Sequence, residues 1–153
     1  EEILTRAPGN EVLFVGTPAG VEARLLPELG YRLELVEVRR LKGQGLRGLV
    51  RGLAAIPRAL WRSLRILRRE RPDVVVGVGG YASGPVVLAA WLLGIPTAIQ
   101  EQNAVPGFTN RLLGRFVRVA FTAFEEATDN FPRRKVLLLG NPIRRAFLDN
   151  YLR

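Results

Sequence analysis

The stretch from Asp73 to Pro85 reads Asp-Val-Val-Val-Gly-Val-Gly-Gly-Tyr-Ala-Ser-Gly-Pro, and it limits the possible folds of this chain more than any other segment. A β-branched apolar run enters a turn that carries glycine at 77, 79, 80 and 84, and Pro85 then suits the opening of a helix. The pattern predicts a buried strand that feeds a helix through a loop with exposed main-chain amides. Such a loop suits phosphate, because successive N–H groups reach an anion unobstructed and the helix dipole favours negative charge there. The same glycines also satisfy the plain need for a tight strand-to-helix connection.

With 153 residues, 48% of them hydrophobic and 24% charged, the chain can build one domain with a real core. It contains no cysteine and no histidine. Disulfides, thiolate chemistry, the usual zinc sites and a histidine general base are thereby excluded. No metal site is expected. A net charge of +9 and a pI near 11.3 point to an anionic partner: nucleic acid, membrane headgroups or phosphorylated ligands. No apolar run reaches the length of a membrane span and no signal peptide opens the chain, so the expectation is a soluble cytoplasmic protein. Methionine is absent, even at the first position, which is the expectation for a fragment or processed product.

In chain order the pattern predicts a helix end over residues 1–6, a strand over 11–16, a helix over 21–29 and an alternating strand over 31–38 with one wetter face. A basic loop over 39–45 leads to the longest helix, 46–69, with Leu49, Leu53, Ile56, Leu60, Leu64 and Leu67 as its core stripe and Pro57 kinking or dividing it. After the glycine loop come a buried helix (85–93), a strand (96–100), a helix (109–115), a strand (117–121), an acidic turn (124–130), a strand (135–139) and a helix (145–152). Alternation of this kind predicts a doubly wound, Rossmann-like parallel sheet in an α/β domain.

The long helix is one-signed. Between Arg39 and Arg71 the only acidic side chain is Glu70, against a succession of arginines and one lysine. A solvated helix normally mixes signs, whereas Arg58, Leu60, Trp61, Arg62 and Arg65 have the makeup of a surface that lies on an anionic bilayer. A cationic but uninvolved face is the alternative. Nucleic acid is not expected, because no aromatic–basic interleaving or nucleic-acid motif occurs.

Three polar loops follow three strands, and in a doubly wound sheet such loops share one edge. GVGGYASGP offers amides for a phosphate, EQN a carboxylate and an amide for sugar hydroxyls, and GNPIR an arginine for a diphosphate. Each also has a plainer use. Asn103 and Asn141 can shape turns, Glu101 can cap the helix near Thr109 or pair with an arginine, and Arg144 can be a surface charge.

In order and spacing this set resembles the amino-terminal domain of the MurG family of bacterial glycosyltransferases. The likeness rests on GVGGYASGP (77–85), AAWLLGIP (89–96), EQNAVPGFTN (101–110) and GNPIR (140–144), with weaker support from residues 15–31 and 40–48. It implies a GT-B fold and an inverting transfer of N-acetylglucosamine from UDP-N-acetylglucosamine to a lipid-linked muramoyl-peptide (lipid I to lipid II) in peptidoglycan synthesis. Gly79, Gly80, Tyr81, Ser83 and Gly84 would hold the acceptor diphosphate. Asn103 and Arg144 would meet the donor, with Glu101 and Gln102 walling the cleft. No cofactor or metal is implied as a requirement. Arg58, Leu60, Trp61, Arg62 and Arg65 would form the membrane-docking surface of a peripheral protein on the cytoplasmic face of the bacterial inner membrane.

The family also carries an earlier strand with a histidine-bearing glycine loop and a second, donor-binding domain, and neither is in this sequence. Residues 1–153 are therefore expected to be an incomplete acceptor- and membrane-binding domain, inert alone, with a split sheet and exposed edges. The catalytic residue is not assigned. Two other readings are a noncatalytic membrane-surface module that binds polyprenyl-diphosphate lipids and an oxidoreductase dinucleotide domain. The latter needs a G-x-G-x-x-G and a following acidic residue, absent here in the expected setting.

Overall fold

The computed structural model describes residues 2–38 and 45–143. Within them the order is α1 (Glu2–Arg6), β1 (Leu13–Gly16), α2 (Glu22–Glu28), β2 (Arg32–Leu35), α3 (Gly45–Glu70), β3 (Val75–Gly77), α4 (Ser83–Leu92), β4 (Thr97–Glu101), α5 (Phe108–Leu113), β5 (Val119–Thr122), α6 (Glu125–Thr128) and, after a 3-10 turn at Arg133–Lys135, β6 (Val136–Leu138). The mixed α/β architecture and the parallel pairing of every strand match the doubly wound expectation. The expected helix over 145–152 lies outside the described residues.

The sheet comes in two pieces. β1 pairs with β2, while β3, β4, β5 and β6 form a separate ladder in that order. One core nevertheless spans both, with Val36 beside β2 in the same cluster as Ala59, Ile66, Val75, Val87 and Ile99. β4 is buried at all five positions, as a strand flanked on both sides should be. β3 is not the buried strand its composition predicts. Val75 faces the core, but Val74, Val76 and Val78 are each more than half exposed, on the opposite face of the strand.

The long helix also departs from expectation. Pro57 does not divide it, since α3 is one assigned helix from Gly45 to Glu70. Over its described side chains, residues 55–70, the buried stripe is Ala59, Ser63, Ile66 and the expected Leu67, with Leu60 and Leu64 at the flank and Ile56 exposed; Leu49 and Leu53 lie outside the residues whose side chains are described. Small residues decide this. Ala59 and the fully buried Ser63, whose hydroxyl donates to the Ala59 carbonyl at 2.8 Å, let α3 lie close against α4 where a leucine would hold it away. α4 starts earlier than expected, with Pro85 in its first turn, and it is not buried all round: Trp91 and Leu92 face solvent.

Ion pairs fasten the small ladder to the end of α3. Arg32 of β2 reaches Glu70 (2.7 Å) and Glu11, and Arg69 binds both Glu34 and Glu70. Hydrogen bonds from Arg69 and then Arg32 hold the Glu70 carboxyl below its ordinary range.

Candidate functional site

The site grows out of the carboxyl end of β4. Successive side chains of a strand point to opposite faces, so Gln100 and Glu101 leave β4 in different directions and Gln102 follows into the loop. Gln100 Nε2 donates to the Gly140 carbonyl (3.3 Å), in the loop after β6. Gln102 Nε2 donates to the Val78 carbonyl (3.3 Å), in the glycine loop after β3. Asn141 Nδ2 in turn donates to the Gln102 carbonyl (3.4 Å). The three polar loops therefore converge, tied by side-chain amides. Arg144 lies outside the described residues.

In the glycine loop, Gly79 and Gly80 have φ of +89° and +79°, a region that L side chains rarely adopt. An added Cβ at Gly80 meets nothing within 4 Å, so backbone conformation and not crowding calls for glycine there. Gly77 differs: a Cβ would come within 2.8 Å of Val87 on α4. Ser83 opens α4 and spends its only hydroxyl proton on the Gly79 carbonyl, which closes the loop on the helix end. Tyr81 is half exposed. Gly84 sits in the first turn of α4, with the Thr109 methyl in ordinary contact range of a Cβ placed there.

Glu101 is the centre of the second loop. It is 1% exposed, yet four donors surround it. Oε1 accepts from Asn103 N (3.0 Å) and Asn103 Nδ2 (2.9 Å), and Oε2 accepts from Gly107 N (3.1 Å) and Asn110 Nδ2 (2.9 Å). Burial pushes its pKa up, but hydrogen bonds from Asn110, Asn103 and Gly107 outweigh that and hold it below the ordinary carboxylate value. Because Gly107 immediately precedes α5, the plainer use of Glu101 as a helix-start acceptor is also present in the geometry.

Asn110 is the residue that the sequence reading missed. It is 3% exposed, and its Nδ2 bridges Glu101 and the Gln100 carbonyl. Its Oδ1 has no partner among the described residues. A buried asparagine nine positions after a buried glutamate carries no periodic signature, so only the folded loop shows them paired. Around this network Val105, Phe108 and Leu112 form exposed apolar positions.

On α3, Arg58, Trp61, Arg62 and Arg65 are exposed, and the Arg65 guanidinium lies 3.8 Å from the Trp61 ring centroid. Leu60 does not share that surface, because it packs partly against the core. A hollow of about 340 Å³ lined by Thr128, Asp129, Arg133, Val136 and Leu138 lies beside α6 and β6, and no residue of the three loops lines it.

Residues 5–122 match the glycosyltransferase family 28 N-terminal domain. The chain belongs to this family. Over all 153 residues this family 28 chain is 65% identical to the UDP-N-acetylglucosamine–N-acetylmuramyl-(pentapeptide) pyrophosphoryl-undecaprenol N-acetylglucosamine transferase of Myxococcus xanthus, and spans 40% of that protein's length. The crystal structure of Acinetobacter baumannii MurG superposes with a TM-score of 0.71 at 35% identity, over 95% of this chain and 41% of that one. A putative UDP-N-acetylglucosamine 2-epimerase from Listeria monocytogenes shares the fold at 16% identity (TM-score 0.59, 84% of this chain and 35% of that one). The family 28 chain thus covers about two fifths of the transferases it matches, and the parallel α/β fold is that of the amino-terminal GT-B domain of MurG.

Proposed function

We propose that this chain is the acceptor-side portion of an inverting N-acetylglucosaminyltransferase that acts on a lipid-linked muramoyl-peptide. The observation that carries the reading is the tying of the three loops through Gln102 to Val78 and Asn141 to Gln102, in a chain 65% identical along its whole length to such a transferase. The amides around Gly79, Gly80 and Gly84, with Tyr81 and the loop-closing Ser83, hold the acceptor diphosphate at the start of α4. Asn103 contacts UDP-N-acetylglucosamine and Arg144 its diphosphate. An acceptor hydroxyl oxygen attacks the anomeric carbon, the bond from that carbon to the diphosphate oxygen breaks, and UDP leaves with the electron pair while the hydroxyl proton passes to a base. Amides and a guanidinium, and not a required metal, stabilise the departing charge. The exposed Arg58, Trp61, Arg62 and Arg65 rest on the anionic cytoplasmic face of the inner membrane, beside the lipid substrate.

The test is transfer by the gene product that carries this chain, supplied with UDP-N-acetylglucosamine and undecaprenyl-pyrophosphoryl-N-acetylmuramyl-pentapeptide. Release of UDP with a β-linked disaccharide lipid is expected. Epimerisation or hydrolysis of the sugar nucleotide without transfer to the lipid overturns the proposal.

A further inference from the structure

We infer that Glu101 is a positioning residue whose carboxylate turns the Asn103 side chain so that its carbonyl oxygen faces the substrate, which makes Asn103 a hydrogen-bond acceptor. This rests on the reading of Asn103 as a donor-substrate contact. The orientation follows from valence. An ionised carboxylate can only accept, so the Asn103 atom 2.9 Å from Glu101 Oε1 has to be the NH2 group. Asn103 is exposed, and among the described residues nothing donates to its Oδ1. The end presented outward is therefore an acceptor, suited to a sugar hydroxyl or an amide N–H and unsuited to a phosphate oxygen.

The same geometry shows why glutamine cannot replace Glu101. Its NH2 would face one of two donor pairs. Against Gly107 N and Asn110 Nδ2, relief by turning Asn110 would break its bond to the Gln100 carbonyl at 3.2 Å. Against Asn103, the side chain turns at little cost, brings Oδ1 inward and puts NH2 outward, while the Asn103 backbone N–H loses its acceptor. Glu101→Gln therefore reverses the polarity that Asn103 shows the substrate. In the double variant Glu101→Gln/Asn103→Asp, one carboxylate oxygen accepts from the glutamine NH2 and the other restores an outward acceptor. Asn103→Asp alone sets two carboxylates against each other.

Two measurements test this. In nitrogen-15 spectra of the chain, the Asn103 NH2 pair is expected to be protected from exchange in the wild type and to exchange as a free amide in Glu101→Gln. In the transfer assay, monodeoxy and deoxyfluoro analogues of UDP-N-acetylglucosamine are compared as donors, since a hydroxyl donates and accepts whereas fluorine can only accept. At one position both analogues are expected to lose about tenfold or more in kcat/KM with the wild type. In Glu101→Gln, whose outward NH2 donates, the deoxyfluoro analogue should outperform the deoxy one, and in the double variant both should again lose. An unchanged Asn103 amide resonance in Glu101→Gln, or wild-type discrimination in that variant, overturns the inference. If instead Asn103→Ala leaves discrimination intact, the substrate contact itself is wrong, whatever the spectra show of Glu101.

Discussion

Replacing Gly80 by alanine separates two demands that a glycine loop makes on its sequence. At Gly80 φ is +79° and an added Cβ meets no atom within 4 Å, so the folding penalty comes from the backbone alone. An L residue in that region costs about 1–2 kcal/mol. For a chain of this size that lowers Tm by roughly 3–6 °C. Gly30, in the turn after α2, has φ of +77° and equally open space, so Gly30→Ala should cost the same. The functional consequences should differ. A methyl group in the glycine loop obstructs main-chain N–H groups that would otherwise donate to an anion, and loss of one charge-assisted bond of about 1.5–3 kcal/mol weakens binding roughly 10- to 100-fold. Titration calorimetry with inorganic pyrophosphate and with the lipid-linked acceptor, beside thermal melts of both variants, reads both quantities. Matched melting shifts with weakened binding in Gly80→Ala alone are expected. Equal affinity of the two variants would refute the idea that the loop's amides hold the diphosphate.

Reversing Arg58, Arg62 and Arg65 to glutamate should abolish sedimentation with anionic liposomes, since each arginine near such a surface contributes about 1 kcal/mol; retained binding would place the membrane contact elsewhere. Hydrogen exchange should protect the amides of Ile99, Gln100, Ala120 and Phe121 in β4 and β5 well beyond those of β1 and β2, which form a separate two-stranded ladder. Equal protection would show that the two ladders open as one unit.

Much of the fold was legible because strands that alternate with glycine- and proline-bounded helices leave few topologies. The loops were legible too, since GVGGYASGP, EQN and GNPIR each place polar or conformationally special residues directly after an apolar run. The errors came where burial depends on a distant neighbour. Val74, Val76 and Val78 look like core, but their burial is set by what packs over their face of β3, and composition does not report that. On α3 the leucine periodicity points to Leu60 and Leu64, yet the more deeply buried positions are the small Ala59 and Ser63. Asn110 was invisible for a similar reason. Its partner Glu101 lies nine residues away, across a loop whose path is not written in periodicity.

The break in the sheet and the assembly of the site are separable. Among the described residues the ties between the three loops all involve β4 or the residue after it: Gln100 to Gly140, Gln102 to Val78, and Asn141 to the Gln102 carbonyl, while Glu101 closes its own loop on Gly107 and Asn110. β4 is wholly buried between β3 and β5, and its register continues through β5 to β6 without interruption. The discontinuity lies between the β1–β2 ladder and the β3–β6 ladder, and among the described residues neither β1 nor β2 pairs with any strand of this network. Loosening of the small ladder thus reaches the candidate site through helix packing, since α4 touches β1 directly and α3 lies on α4, with Ala59, Ile66 and Val87 in one cluster. The loops proposed to meet acceptor and donor are therefore built on the continuous half of the fold. The other half bears on them through helix packing, the same route by which the cationic face of α3 is joined to the glycine loop that α4 carries.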